Sequence, residues 1–188
     1  MLTLAALLLA TPPAPPPERQ LLDAFKGACS RIGNDLEPTK RDAARSGWRG
    51  MAEDGDPRIA RLIKLGREAV EKDGTSTGAT FRRKSGGRDI FLIVSRYQDK
   101  SGYWGSGCRL YDFEAVAPLD GELLEAWMAK PPSEMQEPAP GLVKRLWEPA
   151  GWREGITVEV SHVPQKHPLG QQFGLSGNIL TAQAIGGF

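Results

Sequence analysis

The residues whose chemistry is hardest to replace in this chain are two cysteines, Cys29 and Cys108, and two histidines, His162 and His167. An even cysteine count in an oxidising compartment usually means a disulfide, and two cysteines allow one intramolecular pairing. Closing the loop from Cys29 to Cys108 would remove about 4 to 5 kcal/mol of chain entropy from the unfolded state. The other reading is two buried free thiols that act as small hydrophobes. A cysteine nucleophile needs a thiolate beside a histidine, and pairing removes both candidates. The histidines flank Val163-Pro164 and do not share a helical face. His162 is in phase with Ile156, Val158 and Val160, so it reads as a strand-end histidine satisfied by a local hydrogen bond. A metal site joining both histidines with Glu159 or Asp112 is the minor alternative; no metal and no cofactor is expected.

Other searches for chemistry return little. Gly105-Ser106-Gly107 and Gly174-Leu175-Ser176-Gly177 lack the spacing of a nucleophile elbow, and no phosphate-cradling glycine loop is found. Asp112 with Glu114, and Glu122 with Glu125, share faces, but a solvated face gives the same pattern. Two binding features remain. Tyr103 and Trp104 stand beside Gly105 and Gly107, whose missing side chains would let a ligand approach, so the two aromatics form a candidate ligand lip. A bulge with the tryptophan packed beside the disulfide explains the same residues and takes precedence. Arg82, Arg83, Lys84 and Arg88 form the densest basic cluster, a candidate anion patch. Protection of an edge strand by charge explains the cluster more simply.

These residues must be held by a fold. The apolar run at 90–94 has both faces covered, as in a central strand, and a turn at 98–102 leads to a second strand at 103–113 that carries Cys108. A strand at 79–84 precedes them across Ser85-Gly86-Gly87-Arg88, giving a meander. Helical periodicity marks 19–32, with Cys29 inward beside Leu22 and Phe25, and a short helix runs from Thr39 towards Ser46. The strongest helix runs over 57–72, with Asp56 as N-cap, Pro57 in its first turn and a stripe of Ile59, Leu62, Ile63, Gly66, Ala69 and Val70. It reads as a core helix, with Gly66 and Ala69 allowing close approach. A helix over 121–129 starts at the Asp120 N-cap, and 131–140 reads as an irregular proline-rich connector. Strands follow at 142–147, 156–163 and within 174–185, with a loop over 163–170. The fold class is α+β: N-terminal helices on a mainly antiparallel sheet of about five or six strands, with one helix inserted between two strand groups. The short echo of Gly47-Trp48-Arg49 in Gly151-Trp152-Arg153 does not establish a repeat.

The N-terminus and the composition place this domain. Met1 to Ala10 is apolar but shorter than the about 20 residues needed to span a membrane, and prolines follow it. Residues 1–17 read as a signal peptide and proline-rich linker, although no Lys or Arg precedes the run, and residues 18–188 read as a single α+β domain. Localisation is expected to be periplasmic or secreted. Lys+Arg 24 against Asp+Glu 23, without a run of one sign, argues against a nucleic-acid partner. No transmembrane segment is expected. The leading functional expectation is a non-enzymatic exported module that binds an envelope protein or glycan through its sheet. The alternative is a hydrolase acting on envelope or extracellular material, and a third reading is a structural or inhibitory module.

Overall fold

In the computed structural model, which describes residues 16–187, alternating strand residues and amphipathic helices assemble into an α+β fold around one eight-stranded sheet. The strands are β1 (Arg49–Met51), β2 (Gly74–Ser85), β3 (Arg88–Asp99), β4 (Trp104–Asp112), β5 (Glu134–Ala139), β6 (Leu142–Trp147), β7 (Thr157–Val163) and β8 (Gly177–Gly186). Their order across the sheet is β1-β2-β3-β4-β8-β7-β6-β5, and every neighbouring pair is antiparallel. Two meanders therefore meet at the centre, where β8 returns to pair with β4.

The helices are α1 (Pro17–Cys29), α2 (Glu37–Arg45), α3 (Pro57–Val70), α4 (Gly121–Met128) and α5 (Pro168–Phe173). Alternation along each strand separates two faces. One face carries Ile90, Leu92 and Val94 of β3, Cys108 and Leu110 of β4, and Leu180 and Ala182 of β8, and it forms the main core with Leu22 and Phe25 of α1 and Trp127 of α4. The opposite face carries a smaller cluster in which Ile59 of α3 meets Phe91, Ile93, Tyr111 and Phe113.

Cys29 and Cys108 form a disulfide with Cα atoms 5.6 Å apart, joining the last turn of α1 to the middle of β4. Both are fully buried. The loop between α1 and α2 is drawn in by the Arg31–Asp42 ion pair, and the Trp48 indole N–H donates to the Ala24 carbonyl at 3.2 Å. On the other side of α1, Phe25 meets the Trp152 ring edge-on at 5.8 Å, and Trp152 in turn contacts Trp127 of α4.

The structure departs from the sequence expectation in strand number and in helix placement. The sheet has eight strands rather than five or six. β1 was hidden because Arg-Gly-Met is too short to show a period, although it pairs with 80–82 and so makes β2 an inner strand rather than an edge. β5 lies inside the expected connector; it is a largely exposed edge strand with Pro138, and such a strand has no apolar alternation to read. Residues 74–78, expected as a loop, extend β2, and the loop expected over 163–170 contains the start of α5. The N-terminal helices also divide between faces. α1 and α2 cover the main core, while α3 lies on the opposite face. The reading of residues 1–15 as a signal peptide and linker lies outside the described residues.

Candidate functional site

The second sheet face begins with a packed corner. The Asp56 carboxylate caps α3 by accepting from the Arg58 and Ile59 amides at 2.9 and 3.4 Å, and it also accepts from the Arg58 guanidinium at 2.8 Å. This guanidinium contact, followed by the amide contacts, holds the Asp56 carboxyl below its ordinary pKa in spite of burial. Arg58 lies over the Phe113 ring at 4.5 Å and the Phe91 ring at 5.4 Å. One turn on, Arg61 donates to the Gln172 carbonyl of α5 at 2.6 Å. The first half of α3 is thereby fixed to the sheet.

Leu62 and Ile63 pack at the edge of the cluster formed by Ile59, Phe91, Ile93, Tyr111 and Phe113, and the rest of the helix stands away from the sheet. Of the expected apolar stripe only Ile59 is buried; Leu62, Ile63 and Val70 are half-buried, and Gly66 and Ala69 are exposed. Beneath them a cleft of about 430 Å³ opens between α3, β2, β3, β4 and the end of β8. Its floor is made of small residues, with Gly78 on β2, Ser95 on β3, and Gly105 and Gly107 on β4. The register explains the juxtaposition, since Gly78 pairs with Ser95 and Ser95 with Gly107, all on one face. Tyr97, Tyr103 and Tyr111 supply the aromatic surface, and Leu62, Ile63 and Val70 face it from the helix.

Arg109 is the charged group on this floor. A Cβ added at Gly107 would come within 2.3 Å of the Arg109 Nη1, so the glycine leaves the space over which the guanidinium lies. From there Nη1 donates to Ser95 Oγ at 3.2 Å. No carboxylate pairs with Arg109 among the described residues. The one carboxylate lining the cleft is Glu53, which is paired with Arg67 of α3 at 2.7 Å. The lining thus retains one uncompensated positive charge. Burial raises the pKa of the Tyr111 phenol, with Arg109 opposing the shift. Desolvation, then the carboxylates of Asp99 and Asp73, raise that of Tyr97, so both rings are uncharged hydrogen-bonding groups at neutral pH.

The turn that presents Tyr103 is locally determined. Asp99 Oδ1 accepts from the Ser101 amide at 2.8 Å, the Ser101 hydroxyl at 2.7 Å and the Tyr103 amide at 3.1 Å. The Ser101 hydroxyl is the largest cause of the lowered Asp99 pKa. Tyr103 enters the cleft lining, whereas Trp104 packs against the main core, where Gly186 leaves room for its ring. The two halves of the candidate lip therefore occupy different environments.

The basic cluster is distributed over both faces. Arg83 donates to the Ser46 carbonyl at 2.6 Å, Lys84 pairs with Asp89 at 2.8 Å, and Arg88 reaches Asp112 at 2.9 Å, while Arg82 is exposed. Asp112 is buried on the main-core face beside Asn178 and His162, which are successive partners across β4, β8 and β7. His162 Nδ1–H donates to Asn178 Oδ1 at 2.9 Å, and Asn178 Nδ2 donates to the Ala117 carbonyl at 3.2 Å. Besides the Arg88 ion pair, the amides of Glu114 and Ala115 act on the carboxylate in the same direction as Arg88. Burial raises the Asp112 pKa against the opposing pull of Arg88. Among the described residues no group of three or more His, Cys, Asp or Glu side chains could hold a metal ion.

Arg109 and the half-buried side of α3 escaped sequence reasoning. The available signal was parity: Arg109 alternates with Cys108 and Leu110, so it must face away from the core they build, next to Gly107. Among the described residues no helix is long and apolar enough to cross a membrane. Comparison with family models, curated proteins and solved structures gives no match.

Proposed function

We propose that the protein is an exported binding module whose ligand seats in the cleft between α3 and the second face of the sheet. The observation that carries this reading is the opening of α3 from the sheet beyond Ile59: Leu62, Ile63 and Val70, apolar residues that a helix normally buries, are only half-buried and line a cleft whose floor includes Gly78, Ser95, Gly105 and Gly107. A volume of about 430 Å³ falls within the range of small-molecule sites, and apolar walls with a few convergent polar groups are their usual composition. The lining carries no histidine, and its one carboxylate is committed to Arg67, which supports binding over acid–base chemistry. The Cys29–Cys108 disulfide is consistent with an oxidising compartment, and the apolar N-terminal run supports export to the periplasm or beyond.

Titration with Nile red, an uncharged dye that brightens in apolar surroundings, tests the cleft. The dye should bind the wild-type protein and be lost in Ile63→Glu, which places a charge on the helical wall, provided the variant keeps its far-UV spectrum. Equal binding by both proteins would place the apolar site elsewhere. Export is tested by an intact mass of the protein recovered from its native host. The expected mass lacks an N-terminal segment, and both cysteines are alkylated only after reduction; a full-length mass with two free thiols would overturn export.

A further inference from the structure

We infer that the ligand of this cleft is an amphiphile with a carboxylate head, received by Arg109, and an apolar body lying beneath Leu62, Ile63 and Val70. The inference rests on the cleft reading above and adds the chemical class of the ligand. Three observations converge on it. The Arg109 guanidinium is seated on the floor by Ser95 and by the absence of a side chain at Gly107, so its position is set before any ligand arrives. Ser95 accepts one of its donors, and no carboxylate neutralises it among the described residues. A planar guanidinium with donors to spare matches a carboxylate in two parallel hydrogen bonds.

Charge counting selects the head group. Arg67 and Glu53 cancel, leaving Arg109 as the single net charge of the lining. A monoanion balances it, whereas a phosphate monoester would bring a second negative charge into a partly desolvated space with nothing to offset it. The apolar wall formed by Leu62, Ile63 and Val70 runs along α3, and Ile185, which also lines the cleft, is 56% exposed, so the body of the ligand extends along the helix towards solvent.

Displacement of Nile red by dodecanoate, dodecanol and dodecyl phosphate at neutral pH separates the claims. In the wild-type protein dodecanoate should bind about tenfold or more tighter than dodecanol, the advantage expected of a charge-assisted hydrogen-bonded pair. Arg109→Gln should remove that advantage while dodecanol binding persists, and Arg109→Lys should restore part of it. Equal displacement by dodecanoate and dodecanol in the wild type would overturn the carboxylate assignment and leave the cleft reading standing. Tighter binding of dodecyl phosphate would overturn the head-group assignment in the same way. Absence of Nile red binding would overturn both readings. The wild-type comparison decides the matter even if Arg109→Gln does not fold.

Discussion

The two faces of the one sheet are built to different ends. On the core face, Leu92, Val94, Cys108, Leu110 and Leu180 are closed over by α1 and α4, and a disulfide fixes α1 to β4. On the other face, α3 is held by Asp56, Arg58, Ile59 and Arg61, with Leu62 and Ile63 at the cluster edge and Arg67 paired with Glu53, and beside it the sheet presents glycine, serine and an arginine without a carboxylate partner among the described residues to an open cleft. The same strands serve both, because alternate residues of β3 and β4 belong to opposite faces. A face that is packed and covalently held can carry the stability of the fold, and this leaves the opposite face free to remain incompletely filled.

The largest expected effect breaks the packed face. Replacing Cys29 and Cys108 together by alanine should lower unfolding free energy by about 4 kcal/mol, since the bridge closes a sequence separation of 79 residues. Urea unfolding of the double variant beside the oxidised wild type measures it, and a difference under about 1 kcal/mol would show that the staple adds little to this core. A paired substitution then compares the faces directly. Leu110→Ala, at a fully buried position, should cost about 2 to 5 kcal/mol. Leu62→Ala, at a half-buried position on the cleft wall, should cost about 1 kcal/mol or less, because no closed cavity is created. Equal losses at the two sites would mean that the cleft face is packed as tightly as the core.

Asp112 is the weak polar point of the packed face. Its folded pKa is raised, chiefly by burial, above that of the unfolded chain, so the native state holds the proton more firmly. The contribution of Asp112 to stability should therefore be greatest below the ordinary carboxylate range, fall as pH rises from that range through the raised folded value, and then level off, against the opposite slope from Asp42, Asp56 and Asp99, whose pKa values are lowered. Asp112→Asn should remove this component, so the stability of wild type relative to the variant should fall as pH rises. Denaturation midpoints of both proteins across acid to neutral pH give the comparison, and parallel curves would rule out Asp112 as the source of the slope.

How far the sequence could be read follows the same division. Much of what points into the packed face was legible: the amphipathic α1 with Cys29 beside Leu22 and Phe25, the apolar run of β3, the Asp120 cap of α4, and the cysteine pairing itself, whereas the buried Asp112 and the half-buried Trp152 were not. Burial imposes a period, and a period is visible in one dimension. The cleft imposes none. Gly105 and Gly107 hinted at close approach beside Tyr103, but the Thr, Ser and Gly residues of 74–78 resemble a loop when what they face is open space. Arg109 carries no signal in the sequence beyond its strand parity. Edge strands β1 and β5 were lost for a related reason, since neither has a buried face of useful length.

Gly66 turns that ambiguity into a measurement. As a small residue on the apolar stripe of α3, it suggests a helix pressed against its neighbour, and an added methyl would then clash and destabilise. In the structure a Cβ at Gly66 meets nothing within 4 Å. Glycine in a helix interior costs about 0.5 to 1 kcal/mol relative to alanine, so Gly66→Ala should raise stability by about that amount. The methyl would enter the cleft, so bulky probes should bind less tightly while slender ones bind as before. Equilibrium unfolding settles the sign: a gain fits a helix that stands off from the sheet, whereas a loss would mean that α3 packs closely and that the space beneath it is not available to a ligand.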